Sequence, residues 1–101
     1  MKEIESSDFD AEVVASSLPV IVDFFTPTWH PCSLLIPVLE EIEQETSDSH
    51  KLVKIDVSKD LAFAASHSVR SVPVMIKFEN GEEVSRLQGL NPKPKIQEWM
   101  A

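Results

Sequence analysis

Apolar residues come in short runs along this chain, each bounded by polar or Pro-containing turns. Val20-Ile21-Val22-Asp23-Phe24-Phe25 is a nearly unbroken β-branched and aromatic run, which predicts a central strand covered on both faces. After a Pro-rich turn, Leu34, Leu35, Val38, Leu39 and Ile42 recur at helical spacing with Glu40, Glu41 and Glu43 opposite, the pattern of an amphipathic helix. Pro37 falls inside that helix, where its missing N–H and ring clash predict a bent axis. Leu52 to Val57 predicts a second central strand, and Leu61-Ala62-Phe63-Ala64-Ala65 a short helix. Val74 to Phe78 and Glu82 to Gln88 flank Asn80-Gly81, a pair suited to positive φ and therefore to a hairpin turn. Ser7-Asp8 predicts the cap of a first helix that buries Phe9 and Val13. Asn91-Pro92 opens a last helix with Ile96, Trp99 and Met100 as its apolar stripe. Strands alternating with helices predict an α/β fold, a mixed sheet with helices on both faces.

Composition narrows the picture. The chain has 101 residues, 43% of them hydrophobic, which allows one domain with one core over residues 1–101. Nine Lys and Arg against seventeen Asp and Glu give a net charge of −8. That charge repels phosphate backbones and anionic lipid, so neither nucleic acid nor membrane is an expected partner. It serves solubility or offers an acidic face to a basic partner. The apolar runs fall far short of the ~20 residues that span a bilayer, and Met1 to Ser6 has no apolar signal region, so a cytoplasmic protein is expected. The sequence leaves the oligomeric state open, with a monomer favoured. Cys32 is the single cysteine. No intrachain disulfide and no C-x-x-C motif is available, and any thiol chemistry needs a thiol from outside.

Asp23 with its flanking Val22, Phe24 and Phe25, the Trp-x-Pro-Cys turn, Pro37 and Ser71-Val72-Pro73 stand in an order that resembles the thioredoxin family. Lys54, Gly81 and Gly89 match in the same register, and the resemblance covers nearly the whole chain. It implies a thioredoxin fold, a central mixed sheet of about five strands flanked by about four helices. The departure falls on the chemistry: where the family carries Trp-Cys-Gly-Pro-Cys, this chain has Thr28-Trp29-His30-Pro31-Cys32. Trp29 therefore takes the place of the attacking cysteine, and an indole cannot attack a disulfide.

By the resemblance, Cys32 is the resolving cysteine and is shielded near the start of the helix. A buried thiol in apolar surroundings has a raised pKa and behaves as a small hydrophobe. The alternative is that His30 and the helix N-terminus lower its pKa and make it a lone nucleophile. Metal binding by His30 and Cys32 is weaker still, since structural zinc wants about four protein ligands; no metal and no cofactor are expected. His50 and His67 lie in polar segments and read as surface residues. Asp23, a carboxylate within a central strand, should have a raised pKa. The resemblance implies that Asp23 and Lys54 assist Cys32, while the plainer reading is a buried pair that only shapes the core. It also implies that the backbone of Val72, before a cis Pro73, is open to pair with an extended peptide, in a groove lined by Trp29, Pro31, Val72, Pro73, Gly89 and Leu90 with His30 at its edge. Trp29 would be either a lid over Cys32 or an anchor for a partner.

Two functions from different classes remain. The first is a binding or regulatory module that recognises an extended segment of another protein without turning it over. The second is a monothiol oxidoreductase, in which Cys32 forms mixed disulfides that glutathione or another small thiol resolves. A scaffold with no remaining function ranks third.

Overall fold

Side-chain alternation along one strand sets the architecture of the computed structural model, which describes residues 1–101. Strand β2, Val20–Phe25, is buried at every position. It lies between β3 (Lys51–Asp56), which is parallel to it, and β4 (Val74–Glu79), which is antiparallel. Successive side chains of a strand point to opposite faces. Val20, Val22 and Phe24 therefore join Phe9, Val13, Val53, Ile55, Val74, Ile76 and Phe78 on one face. Ile21 joins Leu52 and Met75 on the other, beneath Leu35, Leu39 and Ile42 of the long helix and Ile96 and Met100 of the last one.

A two-residue strand, β1 (Lys2–Glu3), adds to β3 in parallel, and β5 (Glu82–Gln88) adds to β4 through the Asn80-Gly81 turn, both of whose residues have positive φ. The sheet order is β1-β3-β2-β4-β5, with a mixed parallel and antiparallel pattern. Around it stand helix α1 (His30–Thr46), the short α2 (Leu61–Ser66), α3 (Lys93–Met100) and an N-terminal helical segment. Five strands and four helical segments agree with the expected fold class.

Several details differ from expectation. The N-terminal segment is a 3-10 turn, Ser6–Asp8, followed by a π-type turn, Asp10–Val14, and Glu5 rather than Ser7 caps it in a reciprocal box with Asp8. Phe9 and Val13 are buried there as predicted. Strand β1 was not legible, because two polar exposed residues carry no alternation. The second strand stops at Asp56, whose side chain accepts from the Ser58 N–H at 2.9 Å and turns Val57 into a 3-10 turn. Leu34 is 48% exposed and lies outside the apolar stripe, since Leu35, about 100° round the helix, takes the inward position. Helix α1 runs unbroken through Pro37, whose ring is on the exposed side.

Candidate functional site

The turn after β2 delivers the site. The Trp29 N–H donates to the Thr26 carbonyl at 3.3 Å, and the Cys32 N–H donates to the Trp29 carbonyl at 3.0 Å, so the turn closes directly into α1. Trp29 is the residue before the helix, with extended backbone, and 54% of its surface is exposed. Pro31 sits within the first turn, where its missing N–H breaks no helical hydrogen bond.

His30 and Cys32 are two positions apart, about 200° round a helix, so they face opposite ways. Cys32 has no exposed surface, whereas His30 faces solvent, its Nδ1 3.5 Å from Ser33 Oγ. This corrects the expectation that the pair could act together. The Cys32 thiol is pushed above its ordinary pKa: burial is the largest cause, the Asp23 carboxylate adds to it, and the Thr26 backbone N–H only partly opposes. The thiol is therefore not activated in the way a lone nucleophile requires. No group of three or more His, Cys, Asp or Glu residues stands together to hold a metal ion.

Asp23 lies on the α1 face of β2, and neither of its oxygens has a hydrogen-bond partner. Burial pushes its pKa up to about 7, with Lys54 pulling weakly the other way. The two are direct neighbours across β2 and β3. They do not form the buried pair that the sequence suggested: the Lys54 ammonium lies over the Phe25 ring, 5.4 Å from its centroid, and is half-buried.

Across from the turn, the Val72–Pro73 peptide bond is cis and Pro73 is buried. The Gly89 N–H donates to the Pro73 carbonyl at 2.8 Å, which brings Gly89 and Leu90 beside the proline loop; Leu90 is 46% exposed. Val72 is half-buried, and its backbone N–H and C=O make no hydrogen bond within the chain. A cavity of about 160 Å³ adjoins this loop, between Val57, Leu61, Ala64, Val69, Arg70 and Val72, and Leu61 at its mouth is 71% exposed.

Sequence reasoning missed three contributors. The Thr26 N–H gave no signal, as backbone donors do not show in side-chain pattern. Arg86 and Gln88 looked like ordinary polar residues of an edge strand, yet Gln88 reaches the proline loop at Ser71 and Pro73 and Arg86 reaches the turn before it at His67 and Ser68. His67 is not a surface residue. Its ring is half-buried among Phe9, Phe24, Phe63 and Phe78, with centroids 4.8 to 6.1 Å away, and burial lowers its pKa.

Comparison with known proteins agrees with this geometry. A family model described as Thioredoxin matches residues 1–101. The protein named "Thioredoxin" of Rickettsia prowazekii (strain Madrid E) is 33% identical over 100 residues, covering 99% of this chain and 95% of that one. "Thioredoxin 1" of Synechococcus elongatus (strain ATCC 33912 / PCC 7942 / FACHB-805) is 37% identical over 93 residues, covering 92% of this chain and 87% of its own. "Thioredoxin" of Pyropia yezoensis is 37% identical over 96 residues, covering 95% and 90%. No helix of the chain is long and apolar enough to cross a membrane.

Proposed function

The chain belongs to the thioredoxin family, and because it brings only one thiol to its site we propose that it is a redox-silent binding module, holding an extended segment of another protein in the groove beside Trp29. One observation carries this reading. Cys32 is fully buried with a raised pKa, while the Val72 backbone, just before the start of the strand that pairs with β2, has free hydrogen-bonding groups. Dithiol exchange needs an attacking thiolate and a resolving thiol, and this chain holds one inert thiol. Strand addition needs only backbone groups and neighbouring apolar contacts, which Val72, Trp29, Pro31 and Leu90 supply. Trp29, more than half exposed, suits an anchor better than a lid, since burying its rim surface against a partner is where an aromatic contributes most. Its expected setting is the cytoplasm, as a monomer.

Selection from a displayed library of random unstructured peptides tests the proposal, with Trp29→Ala and Val72→Asp as counter-targets. Peptides enriched on the native chain and lost on both variants are the expected result. Failure to enrich any peptide over the variants sinks the reading. Exposure to oxidised glutathione followed by mass spectrometry tests the monothiol alternative on the same protein. The raised thiol pKa predicts an unmodified chain, and one adduct at Cys32 would transfer the function to mixed-disulfide chemistry.

A further inference from the structure

Residues 70–72 make no backbone–backbone hydrogen bond. The main-chain bonds nearest to them are Val69 N–H to the Ala64 carbonyl on one side and Gly89 N–H to the Pro73 carbonyl on the other. A loop so lightly tied would sample many conformations and lose entropy on ordering against a partner. Two side chains of β5 supply what the backbone does not. Gln88 Nε2 donates towards the Ser71 carbonyl at 3.2 Å, Ser71 Oγ at 3.0 Å and the Pro73 carbonyl at 3.3 Å. Arg86 donates to the His67 carbonyl at 2.8 Å and the Ser68 carbonyl at 3.2 Å. Glu83 fixes that guanidinium from behind with two contacts of 2.6 and 2.7 Å. Pairing of Gln88 with Val74 and of Arg86 with Ile76 puts both side chains on the same face of the sheet, the one that α2 and the 67–73 segment cover.

From this we infer that Gln88, supported by Arg86, is the positioning residue that presents the Val72 N–H to a bound segment. The Ser71 carbonyl and the Val72 N–H belong to one planar trans peptide unit, so they point in opposite directions. Holding the carbonyl towards β5 on the Gln88 amide turns the N–H away from β5, and the second contact, on the Pro73 carbonyl, pins the loop on the far side of Val72. The role specifies a donor at position 88: length alone does not perform it. It deepens the binding reading above and rests on it for its purpose, but not for its geometry.

The unliganded chain provides the first test. In Gln88→Met, which keeps length and loses the donor, amide exchange at Gly89 should quicken and the backbone order of Val72 should fall, with the fold retained. Arg86→Met should do the same more weakly and nearer Ser68. A peptide selected on the native chain should bind Gln88→Met roughly 3- to 10-fold more weakly, the loss expected of about one hydrogen bond. Gln88→Glu distinguishes donor from bulk. Its ionised carboxylate can accept from the Ser71 hydroxyl but cannot donate to the Ser71 and Pro73 carbonyls, so the loop should loosen on the Pro73 side as in Gln88→Met and recover Val72 order and affinity when the carboxyl is protonated at acid pH, a recovery Gln88→Met cannot show. Unchanged Val72 order and Gly89 exchange in both variants would overturn the inference. Loosened variants together with a native chain that binds no peptide would uphold the positioning and refute the binding proposal alone.

Discussion

Asp23 is the residue at which sequence, burial and charge meet most sharply. Its carboxyl lies without partners in the central strand, and its pKa is raised from 3.8 to about 7, so the native chain binds a proton there that the unfolded chain has released. Stability from this group is therefore fully present below about pH 4 and is lost as pH rises through about 7. About three pKa units correspond to roughly 4 kcal/mol. Asp23→Asn should thus gain on the order of 4 kcal/mol in unfolding free energy at pH 8 relative to its effect at pH 4, in denaturant titrations at the two pH values. Taking the difference between the two pH values removes any constant cost of the amide. An equal effect at both would mean that Asp23 is ionised or hydrated in the native chain. Cys32 gives a second residue-scale outcome: with no exposed surface and a raised pKa, it should alkylate at neutral pH far more slowly in the native chain than in denaturant. The burial of Asp23 was legible because a charge inside a β-branched run has nowhere else to go. The orientation of Lys54 was not, since the sequence does not show that Phe25 offers its ring as an alternative to the carboxylate. His67 misled for the opposite reason: its neighbours in sequence are polar, and the four phenylalanine rings that enclose it come from four separate segments.

Elements were read best where one period dominated. The β2 run and the α1 stripe each have many residues obeying a single repeat, and both appear with the predicted inward faces, Leu34 excepted. Elements set by capping or by pairing alone were missed: β1 exists only because β3 offers it an edge, and the N-terminal turn is fixed by a Glu5–Asp8 box within an unremarkable polar stretch. The β4–β5 hairpin offers a test of turn chemistry. Gly81 and Gly89 both have positive φ, but a Cβ on Gly81 would lie 2.9 Å from Val14 Cγ1, while one on Gly89 meets nothing within 4 Å. Gly89→Ala should cost about 1 to 2 kcal/mol from backbone strain alone, and Gly81→Ala should cost more because Val14 must also shift. Thermal unfolding of the two variants orders them, and equal losses would show that Val14 yields freely. Leu39→Ala, which empties a fully buried position between α1 and the sheet, should cost about 2 to 5 kcal/mol in the same measurement.

For the whole molecule, the ionisable groups pull stability in two directions. Glu12, held at about 2 by Lys2 and Lys51, and Asp60 and Glu83, also lowered, favour the native state above the carboxylate range and lose that advantage on acidification. His67, lowered by burial, adds a loss as pH falls below about 6.5, whereas Asp23 adds a loss as pH rises towards 7. Stability should therefore peak at about pH 5 and be lower at pH 8, and a steady rise between those values would contradict the assignment of Asp23. The chain carries a formal net charge of −8, and most of its carboxylates lie on α1, the N-terminal segment and the hairpin. On the binding proposal, the residues beside the turn act through the exposed Trp29 and the unpaired Val72 backbone, while the single thiol stays buried. The most direct test of that claim is insulin disulfide reduction by dithiothreitol, catalysed by the native chain and by Trp29→Cys side by side. The account predicts that the native chain stays at background and that the variant, with a thiol restored at the exposed residue one helical turn from Cys32, gains activity. Reduction by the native chain above background would contradict it, because Cys32 would then be working alone with an outside thiol.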